Sequence, residues 1–285
     1  GLTTLYYSDD NLKNMVHTDI SPTINFDWGN GAPHSSMPID NFSIRWIGQL
    51  QAPETGVYQF HITSDNGRRL WVNNTLIIDK WINDWDIEYS GSIYLEKGEK
   101  YPIQLDYFEA TGGANIVLQW TPPGYAKQVP PQGFLFPLHT QTIALHKGWN
   151  LISTYIHVQD SSIEQMFATL DVQMVKNEYG FWKKNQPAYF NSLHTIEPSQ
   201  AYLLYMNNAG TLFLVGNATQ QTLQLPTTEG WKLLGIPFNI ERAISDCFNS
   251  QNCHTIKNFD GFWQPNGTHN SLHNFEPGKG YFIKQ

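Results

Sequence analysis

The sequence predicts a mainly β protein, in which a β-sandwich is followed by two α+β repeats of about eighty residues each. Composition is the first observation behind this prediction, because 40% hydrophobic and 14% aromatic residues with only 15% charged residues do not fit a disordered chain or a helical bundle. The second is a β rhythm: short alternating segments such as 43–50, 57–62 and 103–108 are broken by Gly, Asn, Asp or Pro. The third is an internal repetition after residue 140.

The chain of 285 residues is about twice the size of an average domain, so more than one core is expected. A proline- and glycine-rich stretch over 121–137 separates two regions of different pattern and places a boundary near residue 140. We therefore predict a β-sandwich over 1–139, a first repeat over 140–221 and a second repeat over 222–285.

The repeats are visible as three blocks that recur in the same order. The two copies of these blocks begin at Gly148 and Gly230, at Lys176 and Lys257, and at Asn191 and Asn270. Each copy is predicted to contain a strand, a short helix and further strands. The first helix is indicated by a capping box over 161–164.

The charge is unevenly distributed along the chain. The net charge is −8, and residues 1–137 hold 8 basic and 15 acidic side chains, a balance of −7. An acidic first half repels a phosphate polymer and attracts a hard cation, so nucleic acid is not expected as a partner and calcium is. There is no apolar window long enough for a membrane span and no signal-peptide pattern, so we expect no membrane insertion and expect this chain to be part of a larger polypeptide.

Two further residue types give structural expectations. The spacing of Cys247 and Cys253 favours one small disulfide loop, with two buried free thiols as the alternative. The tryptophans Trp149 and Trp231 occupy equivalent repeat positions, which favours core packing over a ligand platform.

Residues 1–137 resemble a known family, the protective-antigen fourteen-kilodalton domain, along their whole length. Ten short strings in the right order carry the resemblance. They include those at 41–50, 55–60, 63–72, 76–81, 118–120 and 128–137. The resemblance implies a secreted or cell-surface β-sandwich that serves in some members as a sugar-binding module of adhesins and glycosidases.

The resemblance also implies a calcium site. In carbohydrate-binding members, two adjacent aspartates in a Ser-Asp-Asp-Gly turn hold the ion, and the matching pair here is Asp65 and Asn66. Asn66 keeps an oxygen ligand but carries no charge. The family's second ligand loop corresponds to the segment after residue 108, which adds Glu109, Thr111, Gly112 and Asn115 as metal ligands. The alternative is a tight turn without an ion.

A sugar-binding surface is expected beside the ion. Asp84, Trp85 and Asp86 combine acids with one indole, a composition suited to polar contact and to stacking of a sugar ring. Trp28 is the second candidate for stacking. An ordinary polar loop with a buried tryptophan explains either segment equally well.

The functional prediction is binding without catalysis, because the chain contains no Gly-x-Ser-x-Gly, His-Glu-x-x-His, phosphate-loop or Rossmann glycine motif. We predict a calcium-dependent carbohydrate-binding adhesion module of a bacterial secreted or surface protein, whose partner is a cell-surface glycan or polysaccharide. One alternative is a structural or protein-interaction module without sugar binding. The other is the non-catalytic accessory region of a polysaccharide-degrading enzyme.

Overall fold

The computed structural model describes residues 1–223 and 229–285 and divides the chain into two compact units, Gly1–Leu138 and His139–Gln285. This division lies next to the boundary predicted near residue 140. The further split of the second unit at 221/222 stays a prediction. Across the described ranges, no helix is both long and apolar enough to cross a membrane.

The first unit contains eleven strands within the described residues and one 3₁₀ turn at Gln132–Phe134. The strands are β1 (Leu2–Tyr7), β2 (Met15–Ser21), β3 (Asn25–Gly29), β4 (Phe42–Gln51), β5 (Gly56–Asp65), β6 (Arg68–Val72), β7 (Thr75–Lys80), β8 (Ile87–Leu95), β9 (Lys100–Glu109), β10 (Ala114–Thr121) and β11 (Leu135–Pro137). They form one sheet in the order β2-β1-β4-β9-β6-β7, with β11 paired to β4, and a second sheet in the order β3-β10-β5-β8. All these pairs are antiparallel.

The core of the first unit lies between these two sheets. Strand β10 alternates buried and half-buried residues along its whole length, as expected for a strand with one face against a core. Trp46 and Tyr107 from the larger sheet and Phe60 and Trp120 from the smaller sheet belong to one buried cluster. The fold is therefore the predicted β-sandwich.

Three chain connections meet at one end of this sandwich. Strand β5 ends at Asp65, and the register of the smaller sheet places Asn115 of β10 directly opposite it. On the other side of β5, Ser64 pairs with Ile87, the first residue of β8. Strand β9 ends at Glu109. This strand end lies close to the β5–β6 turn, since Asn66 N donates to Phe108 O. The candidate site residues of the first unit are gathered at this end.

The second unit contains thirteen strands, two α-helical turns and a 3₁₀ turn at Ala188–Phe190 within its described residues. In chain order its elements are β12 (His139–Leu145), β13 (Gly148–Ser153), β14 (Ile156–Val158), α1 (Ile163–Met166), β15 (Val172–Lys176), β16 (Phe181–Lys183), β17 (Ala201–Met206), β18 (Gly210–Ala218), β19 (Trp231–Leu234), β20 (Arg242–Ala243), α2 (Ile244–Cys247), β21 (Thr255–Lys257), β22 (Phe262–Trp263), β23 (Asn274–Phe275) and β24 (Tyr281–Lys284). The sheets are β12-β18-β14, β13-β17-β15-β16, β19-β24-β21-β22 and β20-β23.

The two four-stranded sheets of the second unit correspond strand for strand. Several hydrogen bonds also recur at equivalent positions. Ile163 N donates to His194 O and Ile244 N to His273 O, both at 2.9 Å. The hydroxyls of Tyr202 and Tyr281 each accept the backbone N–H five residues earlier, at 2.8 and 2.9 Å. The tandem repeat itself stays a prediction.

The two halves of the second unit are joined by backbone hydrogen bonds along the edge of β13. Ser153 N donates to Gly278 O at 3.0 Å, and Gly280 N donates to Leu151 O at 2.9 Å. Ser153 Oγ also donates to Lys279 O at 2.7 Å. The approach is close, because a Cβ at position 280 would lie 2.8 Å from Ile152 O. A side chain at position 280 would collide with the backbone of β13, so the contact between the halves requires glycine there.

Two expectations for the second unit are wrong. Cys247 and Cys253 are free thiols and not a disulfide. Cys253 is buried in the core of the second half, and this burial raises the pKa of its thiol to about 11. Trp149 and Trp231 are not core residues, because their side chains are 37% and 45% exposed.

Candidate functional site

The candidate site lies at the end of the sandwich where the β5–β6 turn, the loop before β8 and the loop before β10 meet. Asp65 is half-buried at the end of β5, and its peptide bond to Asn66 is cis. Asp86 N donates to Ser64 O at 3.3 Å, which ties the β7–β8 loop to the turn. A Cβ at Gly113 would lie 3.8 Å from Asp65 Oδ2, which places the third loop beside the same carboxylate.

Asn66 is buried, and the hydrogen bonds of its side chain fix which way the amide points. Its Oδ1 accepts the backbone N–H of Ala110 at 2.8 Å. A backbone N–H can only donate, so the atom that faces Ala110 must be the oxygen. Its Nδ2 therefore faces Asp65 Oδ1 at 2.7 Å and Asn83 Oδ1 at 2.6 Å. In this orientation Asn66 presents a hydrogen-bond donor to Asp65, and its role as a metal ligand stays a prediction.

Asp84 belongs to a buried ion pair and not to a free ligand surface. The guanidinium of Arg68 is fully buried and donates to Asp84 Oδ1. Asp84 Oδ2 accepts the hydroxyl of Tyr89 at 2.8 Å. Arg68 also donates to Ser64 O at 2.9 Å, which holds its positive charge under the turn. Each carboxylate oxygen accepts one hydrogen bond and the side chain is 14% exposed, so Asp84 stabilises the loop in this structure, and its contact with a sugar stays a prediction.

Glu109 is the least satisfied polar group of this site. It is fully buried, and its Oε1 has no hydrogen-bond partner among the described residues. Its Oε2 lies 3.4 Å from the hydroxyl of Tyr107, which also donates to the backbone carbonyl of Asp65. Burial, with a smaller contribution from the charge of Asp65, raises the pKa of Glu109 to about 7. Near neutral pH this carboxyl is therefore partly protonated.

The charge at Asp65 is itself unfavourable. Burial raises the pKa of Asp65, the neighbouring charge of Asp86 raises it further, and Arg68 opposes this. The ionised form of Asp65 is therefore disfavoured, and the buried guanidinium of Arg68 lies under the same turn.

The remaining predicted metal ligands lie on the loop before β10. Thr111 and Gly112 are exposed, and Gly112 has a positive φ of 106°. Gly112 N donates to Asp40 Oδ1 at 3.1 Å. Asn115 is half-buried, and its Nδ2 lies 3.5 Å from Asp86 Oδ1. The structure thus brings Asn115 to Asp65 and Asp86, while Gly112 binds a residue that the sequence did not single out.

The two predicted stacking residues differ in their surroundings. The side chain of Trp85 is 66% exposed in the loop between Asp84 and Asp86. Trp28 is half-buried and stacks on Phe26 with ring centroids 5.1 Å apart and planes at 7°. It also packs against the sandwich core. Trp85 is available for stacking on a ligand, and Trp28 has a packing role.

These donors do not fit the calcium ion that the resemblance implies. Calcium takes six to eight oxygen ligands, whereas Asn66 turns its amide nitrogen toward Asp65 and its oxygen accepts from Ala110 N. In the part of the chain that the structure describes, no group of three or more His, Cys, Asp or Glu side chains is placed to hold a metal. The free oxygens of Asp65, Asp86 and Asn115 are instead suited to direct hydrogen bonds.

Sequence reasoning missed Arg68, Asn83, Tyr107 and Asp40. A signal for Arg68 was present in the alternation of β6. Residues 68, 70 and 72 share one face of the strand, and Leu70 and Val72 are fully buried. An arginine in phase with two core residues requires a buried acceptor. Its partner, Asp84, lies on a separate loop and could not be named from the pattern.

The first unit is a β-sandwich of two antiparallel sheets. The model of the PA14 domain matches residues 1–133, which make up nearly all of this unit. This chain is 36% identical over 137 residues to the anti-sigma-I factor RsgI3 of Acetivibrio thermocellus, an alignment that covers 48% of this chain and 21% of that protein. It is 28% identical over 138 residues to the protective antigen of Bacillus anthracis, covering 45% of this chain and 17% of that protein. The chain thus spans only a small part of the length of these curated relatives.

Solved structures with a similar arrangement were also found. An anti-sigma factor domain-containing protein from Clostridium clariflavum is 23% identical, with a TM-score of 0.49 over 77% of this chain and 90% of that one. A PA14 sugar-binding domain from an RTX adhesin is 16% identical, with a TM-score of 0.41 over 48% of this chain and 98% of that domain.

Proposed function

We propose that the first unit is a carbohydrate-binding module whose site is the loop end around Asp65, and that it acts outside the cell. The observation that carries the proposal is one exposed indole, Trp85, beside the free oxygens of Asp65 and Asp86 and the amide of Asn115. A sugar combines an apolar ring face with hydroxyl groups that donate and accept hydrogen bonds. An exposed aromatic ring flanked by acceptors matches both features.

The mechanism is direct contact. Carboxylates of Asp65 and Asp86 accept hydrogen bonds from sugar hydroxyls, and Asn115 supplies a donor and an acceptor. Trp85 packs on the ring. A shallow site of this kind has a dissociation constant on the order of a millimolar, or about −4 kcal/mol, so useful adhesion requires many copies.

The test is a screen of the whole chain on a diverse glycan array, once with millimolar calcium and once with a chelator. We expect hits in both, which Asp65→Ala and Trp85→Ala weaken about tenfold, while Trp28→Phe keeps them. Hits that disappear with the chelator would restore the calcium-dependent mechanism predicted from the sequence. A blank array under both conditions would refute carbohydrate binding.

A second candidate function rests on the 36% identity to an anti-sigma-I factor. In this proposal the chain is the ligand-binding part of a regulatory protein of that class. The experiment is co-purification of the full-length gene product with a sigma factor, with and without a glycan from the array. Absence of any sigma factor in the purified complex would rule this candidate out.

A further inference from the structure

Two tryptophans of the second unit are exposed at equivalent positions of its two four-stranded sheets. Trp149 on β13 and Trp231 on β19 are 37% and 45% exposed. Large aromatic residues left in solvent at matching places are a frequent sign of a binding surface.

Each of these indoles is contacted by a lysine. Lys176 Nζ lies 4.7 Å from the ring centroid of Trp149, and Lys257 Nζ lies 4.3 Å from that of Trp231. The cation–π contact restrains each flexible ammonium group beside an aromatic surface. The sequence offers the same pairing twice, once in each repeat.

A phenylalanine completes each group. Phe181 is paired with Lys176 across β15 and β16, and Phe262 is paired with Lys257 across β21 and β22. Both rings are exposed, at 41% and 42%. Residues directly opposite each other in an antiparallel pair project from the same face of the sheet. We call Trp149, Lys176 and Phe181 the first triad, and the corresponding residues at 231, 257 and 262 the second triad.

The triads carry positive charge that no acid of the described chain neutralises. Lys184, Lys232 and Lys279 of the same unit each form an ion pair with a carboxylate. No such pair involves Lys176 or Lys257 within the described residues. The strand registers add a second lysine to each face. Lys284 lies directly opposite Trp231. Lys183 is in line with Trp149 across the first sheet, through Tyr205 and Met174.

We propose that the two triads bind an anionic polysaccharide of the polyuronate class. The carboxylate of a uronic acid would pair with the free ammonium group, and the apolar face of a sugar ring would pack on the exposed aromatic edge. The proposal concerns the second unit and is independent of sugar binding by the first unit.

Charge and shape favour this ligand over two others. A second copy of the same face would bring lysine against lysine. Double-stranded DNA carries one charge per ~1.7 Å and is bound through many phosphate contacts, which two pairs of lysines do not supply. A polyuronate has only one carboxylate per sugar ring and offers an apolar ring face as well.

The experiment measures binding of the whole chain by isothermal titration calorimetry and affinity electrophoresis. The probes are polygalacturonate, fully methyl-esterified polygalacturonate and a random DNA duplex. We expect binding to polygalacturonate that weakens with salt, and little binding to the ester, which keeps the sugar rings and removes the charge. Lys176→Gln with Lys257→Gln, or Trp149→Ala with Trp231→Ala, should weaken binding at least about tenfold.

The matched control is Lys184→Gln with Lys279→Gln, which removes the same two charges from lysines that are paired with Asp171 and Asp260 and should leave binding unchanged. Lys176→Arg with Lys257→Arg should retain it. Thermal unfolding of each variant separates lost binding from lost folding. Equal binding of the ester, tighter binding of DNA, no binding of polygalacturonate, or unaltered binding by the triad variants would each overturn the proposal. Loss of array binding in Asp65→Ala with intact polygalacturonate binding would confirm that the two sites are separate.

Discussion

Replacing Asn66 by aspartate tests the arrangement of the candidate site most directly. The amide of Asn66 donates to Asp65 Oδ1 at 2.7 Å and to Asn83 Oδ1 at 2.6 Å, and a carboxylate cannot donate either bond. Two lost hydrogen bonds cost about 1–3 kcal/mol together. Two carboxylates about 4 Å apart repel by roughly 4 kcal/mol at an effective dielectric constant of 20, and relaxation reduces this. We therefore expect Asn66→Asp to lose about 3–5 kcal/mol of stability without calcium.

Calcium should offset part of this loss of stability. In Asn66→Asp the turn would present two adjacent carboxylates, and an ion at a hundred times its dissociation constant would restore about 2.7 kcal/mol. In the natural sequence the amide nitrogen opposes the ion, so the melting temperature should not change with calcium. The assay is thermal unfolding with millimolar calcium or with chelator, combined with calorimetric titration of calcium.

Asn66→Ala is the control, because it adds no charge; it loses the two hydrogen bonds that the amide donates and also the bond that Oδ1 accepts from Ala110 N. It should be destabilised and remain insensitive to calcium. The reasoning is refuted if calcium stabilises the natural chain, or if Asn66→Asp gains no affinity for calcium while remaining folded.

The remaining predictions concern the charges and tryptophans of the same unit. Because burial raises the pKa of Glu109 from 4.5 to about 7, the folded state keeps a proton that the unfolded chain has released, so stability should fall as the pH rises from 4.5 to about 7. Glu109→Gln should flatten this part of the profile in urea unfolding measured across that range. Arg68→Met should lower the free energy of unfolding by about 3–5 kcal/mol, because it leaves Asp84 without its buried cation. Adding Asp84→Asn should recover part of the urea midpoint that the single variant loses. Full stability of Arg68→Met would contradict the buried pair. Trp28→Ala should cost about 2–4 kcal/mol through lost packing, whereas Trp85→Ala should change the melting temperature by less than the equivalent of about 0.5 kcal/mol. Similar losses in both would show that the two tryptophans have been assigned incorrectly.

The sandwich could be predicted from the sequence because its strands follow period-two alternation and its turns contain the expected residues. The alternation of 114–121, for example, is the burial pattern of β10. The calcium site could not be predicted from the matching string alone. Whether Asn66 offers oxygen or nitrogen depends on Ala110, which is distant in sequence and adjacent only in the fold.

The tryptophans show a different limit of sequence reasoning. Trp28 and Trp85 both lie in polar segments. Trp28 is packed because Phe42 and Tyr107, which lie on other strands, contact it, and these contacts arise only in the fold. Equivalent positions in the repeats correctly indicated a shared environment for Trp149 and Trp231, but both are exposed and not in the core. They did not indicate which face of the sheet these residues occupy, because that depends on the register of each strand.

The hydrogen bonds that join the two halves of the second unit have a consequence for aggregation. An unpaired strand edge is a template for pairing with another chain, and the edge of β13 is occupied by backbone groups at 278 and 280. A fragment ending at residue 221, cut where the repeat pattern divides the sequence, would leave this edge bare. We expect such a fragment to associate with its own copies through this edge. The last residues of the second half therefore protect the edge of β13 from pairing between molecules.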